Sequence, residues 1–309
     1  MPWTLLTLFL VAAMIRPVGA QEPANAHPAA SLGLLETIPW QRDGAEFFDH
    51  APAKAAKADR TALIDGACAR AKSEGKLVLW YVHRIEEKKL GGRQMYRAPV
   101  LDIYMQQVVF ADADVASMAG EAFVPVRCML DETLAQRFHL RPLEFVEPAV
   151  VFLDGDGKVV HFVERIRTFQ AQWFADLMAR ILEQHQVPRK GDSPQAMRRL
   201  GLWRPALAML QAKTDKSPSD WLEIAQLQRL LRQPEAALTS LDQADAIAAA
   251  KVDPEKPRRG PARAAAGAIA FDIACERGLV LAMSGRTLEA QPYLEFAWRG
   301  NGTRTAEAG

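Results

Sequence analysis

Cysteine is scarce in this chain: Cys68, Cys128 and Cys275 are the three thiols among 309 residues. They stand 60 and 147 residues apart, so the sequence contains no Cys-x-x-Cys pair and no zinc-type cluster. Each reads as a small buried hydrophobe. An excess of charge is also lacking. Lys and Arg number 38 against 37 Asp and Glu, and Arg16 is the one charged residue among the first 20, so the remainder balances at 37 of each. A balanced chain builds no field that attracts nucleic acid or an anionic membrane surface, and no nucleic-acid partner is expected. The one basic cluster, Lys256, Arg258, Arg259 and Arg263, is interrupted by Pro257, Gly260 and Pro261 and reads as a solvated loop. Histidines at the spacing of a metal centre are missing too: His83, His139 and His161 are 56 and 22 residues apart. No metal and no cofactor are expected.

Long apolar runs are absent outside the N-terminus. Leu5 to Ile15 is almost wholly apolar, Arg16-Pro17 ends the run, and Val18-Gly19-Ala20 offers small residues for a signal peptidase. The run is shorter than the roughly 20 residues a membrane-spanning helix needs. It reads as a secretory signal peptide, residues 1–20, cleaved after Ala20. That implies a location outside the cytoplasm, periplasmic or secreted, with no membrane span after cleavage. Met1-Pro2-Trp3 carries no Lys or Arg, so an uncleaved anchor is the alternative, whereas the lack of a following cysteine argues against a lipid anchor.

What the chain does have is a patterned middle. Residues 21–57 form a lead-in rich in Ala, Pro and His, ordered around Ile38-Pro39-Trp40 and Phe47-Phe48. Leu63, Ile64, Ala67, Cys68 and Ala71 recur at helical spacing up to Gly75. Lys76 to Val82 is a near-continuous apolar run with β-branched and aromatic residues, the signature of a buried central strand. Residues 84 to 100, with Gly91-Gly92 and Pro99, read as a loop. Helical pieces follow at Leu101–Phe110 and Val115–Ala122, with Asp112 or Asp114 as N-cap. Phe123–Leu130 reads as a strand, Asp131–Phe138 as a short helix and Ala149–Leu153 as a third strand. Asp154-Gly155-Asp156-Gly157 turns the chain into a hairpin with Lys158–Val163. Phe169–His185 is an amphipathic helix presenting Phe169, Trp173, Phe174, Leu177, Ile181 and Leu182.

This order, with Glu147-Pro148 leading into Ala149–Leu153 and its glycine turn, resembles the thioredoxin fold over residues 58–187. The resemblance implies an α/β domain whose active-site loop follows the first central strand. In that family a helix N-terminus lowers the pKa of a nucleophilic cysteine there, and a second cysteine resolves the mixed disulfide. This chain departs from the pattern. Direct alignment puts Ile85-Glu86-Glu87-Lys88 at the site; alignment from the next helix puts Ala98–Leu101 or Asp102–Met105 there. No alternative supplies a thiol. His83, Ile85, Lys88 and Tyr104 therefore mark a vacated active-site loop, and no catalytic residue is assigned. Tyr96, Tyr104, Met95 and Met105 either line a groove or pack within the loop and helix. By the resemblance, Pro148 is the cis proline of a peptide-accepting edge.

After Pro188 the character changes, and residues 194–300 contain no strand-like run. Ala225, Ala237 and Ala244 are separated by 12 and 7 residues, and so are Gly278, Ala290 and Ala297. With Trp221 ahead of Ala225, this spacing resembles the tetratricopeptide repeat, an all-α array of helix pairs in which these small residues let helices approach closely. Gly201, Trp203, Ala206 and Leu210 resemble a degenerate earlier copy. Residues 253–263 read as an insertion, and 301–309 as a tail. An Ala-rich bundle with chance spacing is the plainer alternative.

The reading that follows is an exported, redox-inactive thioredoxin-fold protein with helical repeats, binding a protein or peptide in the cell envelope. Its rival is a divergent or monothiol oxidoreductase. Protein taken from its native compartment should begin at Gln21. Intact mass or N-terminal sequencing checks this, and a mass that retains residues 1–20 defeats the expectation of cleavage.

Overall fold

A computed structural model describes residues 38–43, 59–83, 86–90, 93–97, 100–140, 148–166, 168–250 and 261–306. The chain divides into two compact units. One runs up to Lys190 and takes in Arg199–Gly201; the other holds Gly191–Arg198 and the residues from Leu202 onward.

The first unit is mixed α/β. Helix α1 (Arg60–Glu74) is started by Asp59, whose carboxylate accepts from the Ala62 N–H at 3.0 Å. Gly75 stops it at φ 65°, a conformation glycine adopts without strain, and the Lys76 N–H closes onto the Ala71 carbonyl. Ile64, Ala67, Cys68 and Ala71 share one face and are all buried against the sheet. Strand β2 (Leu77–Val82) is buried along its whole length, as a strand covered on both faces must be.

The 84–100 segment corrects the expectation of a loop. Strands β3 (Glu86–Leu90) and β4 (Arg93–Arg97) pair antiparallel, Glu86 opposite Arg97 and Leu90 opposite Arg93, as a separate two-stranded sheet. Runs of neighbouring charged residues hide the period of two that betrays a strand. Helix α2 (Val100–Tyr104) runs directly into a π-helical turn, Met105–Val109, where the Phe110 N–H reaches the Met105 carbonyl. The expected single helix over 101–110 is thus two helical forms in series. Asp112 caps α3 (Ala113–Ala122), accepting from the N–H groups of Asp114 and Val115. Strand β5 (Phe123–Arg127) ends three residues sooner than its apolar run. Helix α4 (Glu132–Arg137), strands β6 (Ala149–Leu153) and β7 (Val159–Val163), and helix α5 (Ala171–Gln184) complete the unit.

A two-residue strand inside the lead-in, β1 (Gln41–Arg42), joins the sheet. The order is β1-β5-β2-β6-β7, with β1, β5 and β2 parallel and β6 and β7 antiparallel to their neighbours. One face of the sheet, with Val78, Trp80, Val124, Val126 and Val151, packs on α1 and α4 residues. On the other, Tyr81 meets Phe110 edge-on at 4.8 Å, and Phe110 meets Phe174 of α5 at 5.7 Å. The sheet is therefore covered on both sides.

The second unit is helical throughout its described residues: α6 (Pro194–Arg199), α7 (Trp203–Gln211), α8 (Pro218–Leu230), α9 (Pro234–Ala250), α10 (Pro261–Met283) and α11 (Thr287–Ala306). Three inter-helix turns are built alike. Gly201, Arg232 and Gly285 all have positive φ. The next residue in each case donates to the carbonyl five back: Leu202 to Met197, Gln233 to Gln228, Arg286 to Leu281. The helix that follows places Ala206, Ala237 and Ala290 at the same position, each fully buried. The repeat is therefore present in backbone geometry, at offsets of 31 and then 53 residues. The longer offset holds the insertion, of which 251–260 lies outside the described residues, while Pro261 already belongs to α10.

Small residues sit where the helices cross. Ala225, Ala237 and Ala244 are buried with Leu222, Leu241, Ile273 and Val280 in one cluster, and Trp221 packs against it. At Gly278 a Cβ would meet Leu294 and Tyr293 side-chain carbons at 3.0–3.1 Å, so α11 lies too close for any larger residue to enter freely. Ala297 is half-buried. Ala237→Leu and Ala290→Leu should each overpack their crossing at a cost of roughly 1–3 kcal/mol. Ala246→Leu, on the exposed side of α9, should cost far less. Urea melts of the full chain compare them, and equal midpoints would contradict the packing described.

Candidate functional site

The parallel strands β1, β5 and β2 end at one edge of the sheet, the edge outside which open α/β sheets place their sites. Three groups gather there because their strands are adjacent: Asp43 directly after β1, Cys128 and Met129 after β5, and His83 after β2. Pro148 joins them. It precedes β6, whose Ala149 is paired with Val82, so the proline stands beside the end of β2.

Asp43 is the centre of this edge. Its side chain is 1% exposed, and its Oδ2 accepts from Arg60 Nε at 2.9 Å and from the Met129 N–H at 3.0 Å. Its Oδ1 lies 4.0 Å from His83 Nε2, and His83 is as buried as Asp43. Arg60 reaches on to Asp131, the N-cap of α4, at 3.8 Å. One carboxylate thus ties β1, α1 and the β5–α4 connection, and faces the residue that ends β2. The second polar contact lies deeper. Tyr81 donates its hydroxyl to Asp102 on α2, and Gln106 Nε2 donates to the other Asp102 oxygen at 3.1 Å. Burial first, and then the Asp102 carboxylate, push the Tyr81 phenol well above its ordinary range, with Arg127 opposing. Tyr81 is therefore a neutral donor that docks α2 on the sheet.

The expected site residues fall in different places. His83 is buried, with Asp43 Oδ1 4.0 Å from its Nε2. Tyr104, half-buried at the end of α2, meets Phe169 in a tilted ring contact at 5.5 Å, and Met105 is wholly buried, so both pack rather than line a groove. Lys88 lies in β3, opposite Met95 in register. Ile85 and the Glu147–Pro148 peptide bond, expected to be cis, lie outside the described residues. Pro148 itself is buried. The residues that organise the edge, Asp43, Arg60 and Asp102, were missed from sequence. Asp43 and Met129 are 86 positions apart. A local sign existed for Asp102, a lone carboxylate in the apolar run Val100–Tyr104.

Neither thiol of this unit can act readily. Cys68 is buried on the sheet-facing side of α1, and desolvation pushes its pKa up to about 11 against the opposing Arg137. Cys128 is fully buried, and desolvation with the nearby Asp43 charge raises its thiol further. A thiol becomes a nucleophile only as thiolate, which both environments disfavour. Among the described residues no group of three His, Cys, Asp or Glu is arranged to hold a metal ion. No described helix is long and apolar enough to cross a membrane.

In the helical unit, polar pairs link successive first helices: Gln195 with Glu223 and Arg198 with Gln226 from α6 to α8, then Arg229 with Glu276 at 2.5 Å from α8 to α10. No protein-family model matches the chain, and no curated protein and no solved structure shows significant similarity to it.

Removing a carboxylate that a half-buried guanidinium and a backbone N–H depend on takes from both their nearest acceptor. Asp43→Ala should therefore destabilise the first unit by about 3 kcal/mol, the low end for a broken buried pair because Arg60 is partly exposed. Asp43→Asn, which can still accept, should lose less. Chemical denaturation measures both; a wild-type midpoint for the alanine variant would dismiss the role given to Asp43.

Proposed function

We propose that this is an exported, redox-inactive protein with a thioredoxin-like first unit and a tetratricopeptide-like second unit, and that it binds protein or peptide in the cell envelope. The observation that carries the reading is the state of the thiols beside a sheet edge otherwise suited to the thioredoxin arrangement. His83 ends the central strand and Pro148 stands next to it, yet Cys128 and Cys68 are buried and hard to ionise. Dithiol exchange needs a thiolate within reach of a partner disulfide, and neither cysteine meets that need.

The repeated turns at Gly201, Arg232 and Gly285, with buried alanines behind them, support the helical-repeat half. Stacked helix pairs offer an extended surface from their first helices, the usual binding surface of such arrays. Here α6, α8 and α10 would supply it. The signal-like residues 1–20 support export.

Purified protein should not accelerate disulfide reduction by dithiothreitol above the uncatalysed rate. Cys68 and Cys128 should resist iodoacetamide at pH 7.5 in the native state and react once unfolded, as peptide mass spectrometry reads. Catalysed reduction that disappears in Cys128→Ala or Cys68→Ala would replace this reading with the monothiol enzyme.

A further inference from the structure

Two glutamines on the first helices of the second unit are held in opposite senses. Gln195 of α6 donates from Nε2 to Glu223 of α8 at 2.5 Å. Arg198, one turn further along α6, donates to Oε1 of Gln226, one turn further along α8. A carboxylate accepts and a guanidinium donates, so each charged partner decides which way its amide turns. Glu223 takes the Gln195 nitrogen and leaves Oε1, an acceptor. Arg198 takes the Gln226 oxygen and leaves Nε2, a donor. Neither of these two atoms has a hydrogen-bond partner among the described residues. Gln195 is exposed and Gln226 half-buried.

The repeat shows that this arrangement belongs to one interface. The turns at Gly201 and Arg232 set the first offset at 31 residues, so Gln226 is the counterpart of Gln195 and Arg229 that of Arg198. At the next step, 53 residues on, Glu276 stands for Glu223 and Leu279 for Gln226. There Arg229 reaches Glu276 directly at 2.5 Å, and a leucine replaces the amide. The α8–α10 step is thus bridged by charge. The α6–α8 step presents one acceptor and one donor. Both of its contacts advance by three residues on each helix, so the helices run parallel there and the contacts are offset by about 4.5 Å along the axis.

We propose that Gln195 and Gln226 bind the main chain of an extended segment of a partner protein laid across α6 and α8. In strand form one residue turns its N–H and its C=O to the same side. That N–H donates to Gln195 Oε1, and that C=O accepts from Gln226 Nε2, as a neighbouring strand would arrange. Contacts of this kind select the conformation of the segment and leave its side-chain sequence open. A helical segment does not fit, because its interior N–H and C=O groups are spent on one another. The proposal rests on the reading of the first helices as a binding surface, and adds what is bound there and by which atoms.

Random dodecapeptides displayed on phage and panned on the full-length protein supply the probe. Enriched sequences are synthesised with a fluorophore and titrated by anisotropy. Titrations are made at pH 8, because burial raises the Glu223 carboxyl above its ordinary range and only the ionised form is solely an acceptor. Gln226→Glu keeps an acceptor for Arg198 and removes the Nε2 donor, and it should weaken the enriched peptides about ten-fold. Gln195→Met should weaken them by a similar factor. One residue of each peptide should lose about ten-fold on N-methylation against the wild type, and little further against Gln195→Met. Circular dichroism melts check that the variants fold, and the exposed Gln195 keeps the test alive if Gln226→Glu is unstable. Enriched peptides that bind both variants as tightly as the wild type overturn this proposal and leave peptide binding standing. Peptides that gain helical circular dichroism on binding overturn it as well. Panning that enriches no peptide overturns it together with the binding surface on which it rests.

Discussion

The Asp43 carboxylate is buried where a strand, a helix and a strand–helix connection all end. A charge with 1% exposure is costly unless paired and hydrogen-bonded, and here Arg60 and the Met129 N–H satisfy one oxygen while His83 faces the other. The consequence is organisational. Strand β1 is only two residues long and cannot hold itself to β5 by ladder bonds alone. Asp43 anchors its end, Arg60 carries the tie into α1, and its reach to Asp131 extends it to the start of α4. His83, directly after β2, lies buried beside the same carboxylate. The described residues of the edge thereby form a polar junction, a different object from a reactive thiolate at a helix N-terminus.

The helical unit rests on a different device. Its crossings are lined by Ala225, Ala237, Ala244, Gly278 and Ala290, so the backbones approach closely and dispersion contacts replace large side chains. Each turn is closed by one residue at positive φ and one long backbone bond. Gly201 and Gly285 take that conformation freely, whereas Arg232 carries the strain of a non-glycine residue, held by the packing on either side of it. Ion pairs between the helices, Arg229–Glu276 and Arg277 with its two aspartates, add register to contacts that are otherwise nonspecific in direction.

Local order was legible wherever side-chain period and a punctuating residue agreed. The α1 face ending at Gly75, the buried run of β2, the strand Ala149–Leu153 with its glycine turn, and the paired 12-and-7 spacing all follow from interactions within a few residues of one another. Period failed where charge masked it, in β3 and β4, and where helix geometry changed form, at Met105–Val109. The end of β5 also moved, because an apolar run continues after the ladder stops: Cys128 is buried without being part of the strand.

By itself the sequence determined the alternation of strands and helices in the middle, the helical character of the last third, the absence of a Cys-x-x-Cys pair, and the positions of the small residues. All of these depend on local patterning or on simple presence. Only the tertiary structure decided that a fragment of the lead-in joins the sheet, that Asp43 meets Met129 across 86 residues, and that His83 is interior. These outcomes turn on which distant segments lie side by side, and a partner's distance along the chain carries no trace in the pattern around either residue.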